Sequence, residues 1–205
     1  MSRGVILDTA ARLATTEGLE GLSIGELAHH IGMSKSGLYA HFKSKEELEL
    51  ATIETAAQIF QNDVVDKVPD SLRGLARVLS LTDAFLQHLE RRIFPGGCFF
   101  ATVAAQLASH PGRARDRVVE VQTAWFGQFT SALSQAREAG EIQSNSDLEQ
   151  LTFEITAMML RANVAWILSA EKRVLDQARA GVGSVIARVS QGTQFRGKRP
   201  PQRKA

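Results

Sequence analysis

The sequence is poor in the features that most covalent and metal chemistry requires. It has one cysteine, Cys98, in 205 residues. That excludes an intramolecular disulfide and a multi-thiolate metal site, and it suits a reducing compartment. The histidines, His29, His30, His41, His88 and His110, show no H-x-x-x-H spacing with a carboxylate, so no metal is expected. There is no glycine-rich phosphate loop, no G-x-S-x-G elbow and no converging acid, base and nucleophile, so neither a cofactor nor catalysis is expected. No run alternates long enough to propose a strand, which leaves an all-α chain. The first residues do not read as an apolar signal segment, so no leader is expected. The most apolar later stretch, Ile155 to Leu168, is shorter than a membrane span and contains Arg161 and Asn163, so a cytoplasmic protein with no membrane partner is expected.

What remains is an ordinary globular composition, 44% apolar and 22% charged. The basic balance of +2 says little about partners. Residues 196–205 hold five Lys and Arg and no acid, so the rest carries 19 against 22, a net of −3. Residues 1–50 hold five basic residues against seven acidic ones. The local cluster at 33–45 is more telling: Lys35, Lys43 and Lys45 with no acid.

That cluster belongs to the most organised stretch, Ser23 to Lys45. Ile24, Leu27, Ala28 and Ile31 fall at i, i+3, i+4 and i+7, one apolar helix face. Ser23 with Glu26 forms a capping box, and Leu22 with Leu27 the accompanying staple. Gly32 supplies the positive φ that ends a helix. Ser34 opens a second helix, 34–42, in which only Leu38 and Phe42 read as core. Its other face is small, hydrogen-bonding or cationic. Two helices joined by so short a turn read either as an ordinary helical hairpin with a solvated face or as the helix-turn-helix arrangement, whose second helix enters the major groove of double-stranded DNA. Lys35, Ser36 and Gly37 are the candidates for reading bases, and Tyr39 and His41 for bonding phosphates. A second capping box, Ser44 with Glu47, opens the next helix and places Lys45 in its first turn, aimed at a phosphate. Ser23 and Ser34, at the two helix starts, complete the expected contact set.

Residues 37–48, Gly-Leu-Tyr-Ala-His-Phe-Lys-Ser-Lys-Glu-Glu-Leu, resemble the signature of the tetracycline-repressor (TetR) family of one-component transcriptional regulators. Ile6-Leu7, Ala10-Ala11, Gly18 and Leu22-Ser23-Ile24 leading into Ala28 agree with it. The resemblance is specific over about the first fifty residues and weak beyond. It departs at Ala14, where the family more often has a bulky aromatic, and in a short N-terminal arm with only Arg3 to offer a flanking contact. It implies a homodimeric, ligand-responsive repressor on a palindromic operator, dimerised through a four-helix bundle of the final two helices. The alternative is a regulator of the same kind that activates, or that answers to a partner protein rather than a small molecule.

The expected domains are a helix-turn-helix domain at 1–46, a helical effector-binding and dimerisation domain at 47–190, and a disordered basic tail at 191–205. Within the second, one stripe runs Leu72, Leu75, Leu79, Thr82, Leu86 and Leu89, and another Val118, Gln122, Trp125, Phe129 and Leu133. The helix 147–170 is apolar on two faces, with Ile155, Met159 and Trp166 on one and Phe153, Val164 and Ile167 on the other. The last helix carries a seam of valines beside Ala180, Gly181, Gly183 and Ser184, small enough for close helix approach. Phe60, Phe85, His88, Phe99, Phe100, Trp125, Phe126, Phe129 and Met159 are available to line a pocket for a small apolar or aromatic effector. Cys98, between Gly97 and Phe99, reads either as a redox or electrophile sensor or as a small buried hydrophobe.

Overall fold

The computed structural model describes residues 2–190. Among the described residues there are nine α-helices and no strand: α1 Arg3–Glu17, α2 Ile24–His30, α3 Lys35–Tyr39, α4 Lys45–Asp63, α5 Gly74–Glu90, α6 Phe99–Leu107, α7 Arg113–Glu138, α8 Leu148–Ser169 and α9 Lys172–Ser190. The expected tail, 191–205, lies outside them.

Helices α1 to α3 enclose a small core of Ile6, Ala10, Ala14, Leu27, Leu38 and Phe42, which Leu48 of α4 completes from below. Ala14 is fully buried there. The first capping box is made as its sequence requires. Ser23 Oγ accepts from Glu26 N–H at 3.0 Å while Glu26 accepts from Ser23 N–H at 3.1 Å, and Gly32 has φ 67. The second box differs. Ser44 Oγ caps Glu47 N–H at 3.1 Å, but the Glu47 carboxylate turns to the Lys43 N–H at 3.0 Å. Capping at the start of α4 is shared between two backbone donors rather than exchanged within one pair.

Below this head, α5 packs on α7, α8 and α9, and α7 also packs on α4, α6 and α8. Of the α5 stripe read from sequence, Thr82, Leu86 and Leu89 are buried, but Leu79 is exposed and Val78, Leu81 and Phe85 face inward as well. An amphipathic helix with apolar residues over more than half its circumference does not announce which face wins; the neighbours decide. Helix α8, at 22 residues, is longer than the apolar stretch read from sequence and is apolar enough by length and composition to cross a membrane. Its Ile155, Met159, Ala162 and Trp166 are nonetheless buried against the other helices, and Trp166 Nε1 donates to Leu89 O at 2.8 Å.

Two routes join head and body. One is α4, continuous from Lys45 to Asp63. The other is the connector 93–98 between α5 and α6. Arg12 of α1 donates to Ile93 O at 2.6 Å, and Gly96 N–H donates to Thr15 Oγ1 at 3.0 Å. On its far side Cys98 N–H donates to Asn163 Oδ1 of α8 at 2.8 Å. Gln106 of α6 adds a bond from Leu19 N–H at 3.1 Å.

Candidate nucleic-acid interface and effector chamber

The reading head is built on short elements held by side-chain caps. Ser34 Oγ accepts from Gly37 N–H at 3.1 Å and lies 3.2 Å from Ser36 Oγ. The α-helix proper is Lys35–Tyr39, shorter than the expected 34–42. Bonds from Ala40 N to Ser36 O, and from His41 N and Phe42 N to Leu38 O, carry the winding on to Phe42. A side chain at Gly37 would crowd the Ser34 cap, so the glycine protects the start of the helix. With Leu38 and Phe42 turned inward, Lys35, Ser36 and Tyr39 face solvent, Tyr39 at 55% exposure, and His41 is half-buried.

Ser23 is occupied as a cap, and its hydroxyl and N–H hold the Glu26 carboxyl below the usual range. The stem of Lys35 lies across Gly25 of α2, so that glycine makes room for the cation. Lys45 is partnered in this state: its Nζ donates to Glu20 O at 2.6 Å and lies 3.6 Å from Glu49. Arg3 is also engaged, with its guanidinium 4.8 Å from the Phe42 ring centroid and 3.9 Å from Glu47.

The body holds an apolar chamber walled by Phe60 of α4, Phe85 of α5, Cys98, Phe100 and Ala101, Val121, Gln122, Trp125 and Phe126 of α7, and Thr156, Met159 and Leu160 of α8. Its cavity is ≈ 20 Å³, room for about one water. The aromatics fill it against one another: Phe60 meets Trp125 edge-on at 4.9 Å and Phe100 at 6.1 Å. Of the residues singled out from sequence, Phe60, Phe85, Phe100, Trp125, Phe126 and Met159 line it. His88, Phe99 and Phe129 stand one layer behind, at 5.8 Å from Phe60, 5.2 Å from Phe100 and 5.1 Å from Trp125. Ala101, Val121, Gln122, Thr156 and Leu160 also line the chamber and were not among the expected pocket residues, although Gln122 was placed on the same stripe as Trp125. Burial pushes the Cys98 thiol up to about 11, so at neutral pH it is protonated and behaves as a small hydrophobe.

His88 sits behind Phe60 and ties α5 to the end of α4. Its Nδ1 is 2.5 Å from Asp63 Oδ2, and Arg91 reaches the same oxygen at 2.9 Å. Burial holds the imidazole below its ordinary pKa despite Asp63. At Asp63 desolvation pulls upward, but His88 and Arg91 outweigh it and keep the carboxyl low. Because the folded state resists charging His88, the unfolded chain binds more protons below about pH 6.5, and stability falls as pH drops through that value. Urea titrations between pH 7.5 and 5.5 are expected to show this slope, and His88→Gln to flatten it. Equal slopes in both proteins would remove His88 as the cause.

Comparison with known proteins follows the same division. Residues 6–52 match the model of bacterial regulatory proteins of the tetR family, and residues 74–182 that of the tetracyclin repressor-like C-terminal domain. The nucleoid occlusion factor SlmA of Vibrio campbellii is 33% identical over 82 residues, covering 38% of this chain and 42% of SlmA. The chain thus spans about two fifths of the length of the curated relatives it matches. A TetR transcriptional regulator from Chloroflexus aurantiacus J-10-FL shares the fold at a TM-score of 0.83 and 24% identity, over 91% of this chain and 94% of that one. AibR, solved in complex with isovaleryl coenzyme A and operator DNA, superposes at 0.69 with 25% identity, over 91% of this chain and 96% of its own.

Proposed function

Because the chain belongs to the TetR family of DNA-binding transcriptional regulators, we propose that it is a cytoplasmic, homodimeric, ligand-responsive repressor that acts by occupying a palindromic operator and not by catalysis. One observation carries the reading: the helix-turn-helix head is bonded, through Gly96 and Thr15, to a connector whose next residue but one, Cys98, is a wall of the aromatic chamber. A ligand that enlarges the chamber by moving Phe60 on α4 or the connector at Cys98 acts on an element that leads to the head. The equilibrium shifts only by the effector's preference for one head spacing over the other. AibR, of the same fold, holds a small ligand and operator DNA in one structure.

In this reading 1–46 is the DNA-binding unit and 47–190 the effector and dimer unit. Lys35, Ser36 and Gly37 lie against base edges, and Tyr39, His41 and the capped helix starts at Ser23 and Ser34 against the backbone. Lys45 exchanges the Glu20 carbonyl for a phosphate. The test is titration of wild type, Lys35→Ala, Ser36→Ala and Lys45→Ala against a duplex selected from a random pool and against its scrambled form, at several salt concentrations. Lys45→Ala is expected to weaken both duplexes alike and to lower the salt slope by about one. Lys35→Ala and Ser36→Ala are expected to narrow the gap between the duplexes by roughly 1–3 kcal/mol. Failure to select any duplex would reject the function itself.

A further inference from the structure

The chamber shares its wall with a longer run of surface hollows. It shares Phe60, Val121 and Trp125 with a cleft of ≈ 330 Å³ between α4 and α7. That cleft shares Ala124 and Gln128 with a third hollow of ≈ 460 Å³ along α5 and α7, beside Arg73 and Arg77. Each of the two larger hollows is on the scale of a ligand site, roughly 300–1,000 Å³.

Charge is distributed unevenly along this run. At the end nearer the head, Arg117 is held bidentately by Glu54, at 2.5 and 3.0 Å, and by Glu120 at 3.0 Å. That group sums to −1, and an anion there would have to displace two carboxylates and leave them unpaired. The far end is different. Arg73 donates to the backbone carbonyls of Asp70 and Leu72, and Arg77 to Gln128 Oε1 at 3.0 Å and Pro69 O at 3.5 Å. Among the described residues neither guanidinium has an ion pair with a carboxylate; Asp70 lines the hollow, and the Glu141 carboxylate is taken up by Leu75 N–H at 2.7 Å. With five N–H donors each, both arginines keep donors free. The floor between is Ala124 and Gly127, and a side chain at Gly127 would meet nothing within 4 Å, so an extended group can lie along it.

We propose that Arg73 and Arg77 form the anion subsite of the effector site, and that the effector is an extended amphiphile with an apolar end in the aromatic chamber and a phosphate-bearing head on these guanidinia. The inference rests on the chamber being the effector site. Helix rise sets the length: Gln128 and Gln135 lie three and ten residues beyond Trp125, about 5 and 15 Å along α7. A carboxylate attached directly to the apolar part stops in the middle cleft. A phosphate carried on a linker reaches both arginines, whose planar donors suit it.

The experiment uses the full-length protein with Trp166→Phe, which leaves Trp125 as the single tryptophan reporter. Octanoyl-coenzyme A and 1-octanoyl-lysophosphatidate supply the phosphate on two different carriers. Octanoyl-N-acetylcysteamine supplies the acyl thioester without phosphate, and N-phenyl-1-naphthylamine is a neutral apolar probe. At least one phosphate ligand is expected to bind about tenfold or more tightly than the thioester, as befits charge-assisted bonds. Whichever does so identifies the carrier. Arg73→Gln/Arg77→Gln is expected to erase that advantage, Arg73→Lys/Arg77→Lys to retain part of it, and Arg113→Gln to leave it intact. Equal affinities in wild type and the Gln pair, or no phosphate advantage, would overturn the subsite. If the naphthylamine alone perturbs Trp125, the chamber stands and the subsite falls; if no probe perturbs it, both fall.

Discussion

Phe153→Glu combined with Leu168→Glu is expected to yield a folded monomer that no longer holds its operator. Helix α8 buries one face inside the chain and leaves the other bare: Phe153 is 67% exposed, Val164 51%, Ile167 40% and Leu168 82%. A contiguous apolar face of this kind is unusual on a monomer and is the surface that the proposed dimer covers. Carboxylates at its two ends would face apolar side chains, or each other, across the two-fold, while inside the chain they touch little. Gly181 and Val185, which the small-residue seam suggests as interface positions, are poorer choices. A Cβ at Gly181 would come within 2.5 Å of Met158 Sδ in the same chain, and Val185 is already buried there. Substituting either would disturb the α8–α9 packing first. Loss of the second head should lower operator affinity by about 10²-fold or more, since linked binding contributes about that much or better. Sedimentation equilibrium and DNA titration check the prediction together. A double variant that remains dimeric at micromolar concentration, or a monomer with undiminished affinity, would reject it.

Gly96→Ala is expected to loosen the head from the body. Gly96 does not have a positive φ; its requirement is space, because a Cβ there would overlap the Thr15 carbonyl of α1. Its N–H donates to Thr15 Oγ1 and its carbonyl accepts from Thr102 Oγ1, both at 3.0 Å, so the peptide is held from both sides and has no free direction to yield. Overpacking such a site costs about 1–3 kcal/mol. Thr15→Val separates space from bonding: it keeps the volume and leaves the buried Gly96 N–H unsatisfied, at a cost of about 1–3 kcal/mol. Both variants should lower the unfolding midpoint, and Gly96→Ala should also weaken operator binding, because α1 carries the other two helices of the head. Unfolding and DNA binding unchanged in Gly96→Ala would show that the connector does not constrain the head.

Local interactions were legible in the sequence because they span only a few residues. The Ser23–Glu26 box, the Ser34 cap, the positive φ at Gly32 and the inward pair Leu38 and Phe42 depend on spacing within one or two turns, and each is present as read. The all-α class and the family signature at 37–48 are of the same kind. The tertiary structure decided matters that depend on which surfaces meet. On α5, which packs on α7, α8 and α9, Leu86 and Leu89 are buried as read, while Leu79 is left exposed and Val78, Leu81 and Phe85 are buried with them. Glu47 chose the Lys43 N–H over that of Ser44, and Lys45 found the Glu20 carbonyl, a partner 25 residues away that no periodicity reveals. Phe60 and Trp125 came to line the chamber while Phe99 and Phe129 fell behind them, although all four are equally apolar on paper. The reason is physical: a cap or a helical period is set by covalent neighbours, whereas a cavity, a docked glycine and the bare face of α8 arise only when distant segments compete for the same space.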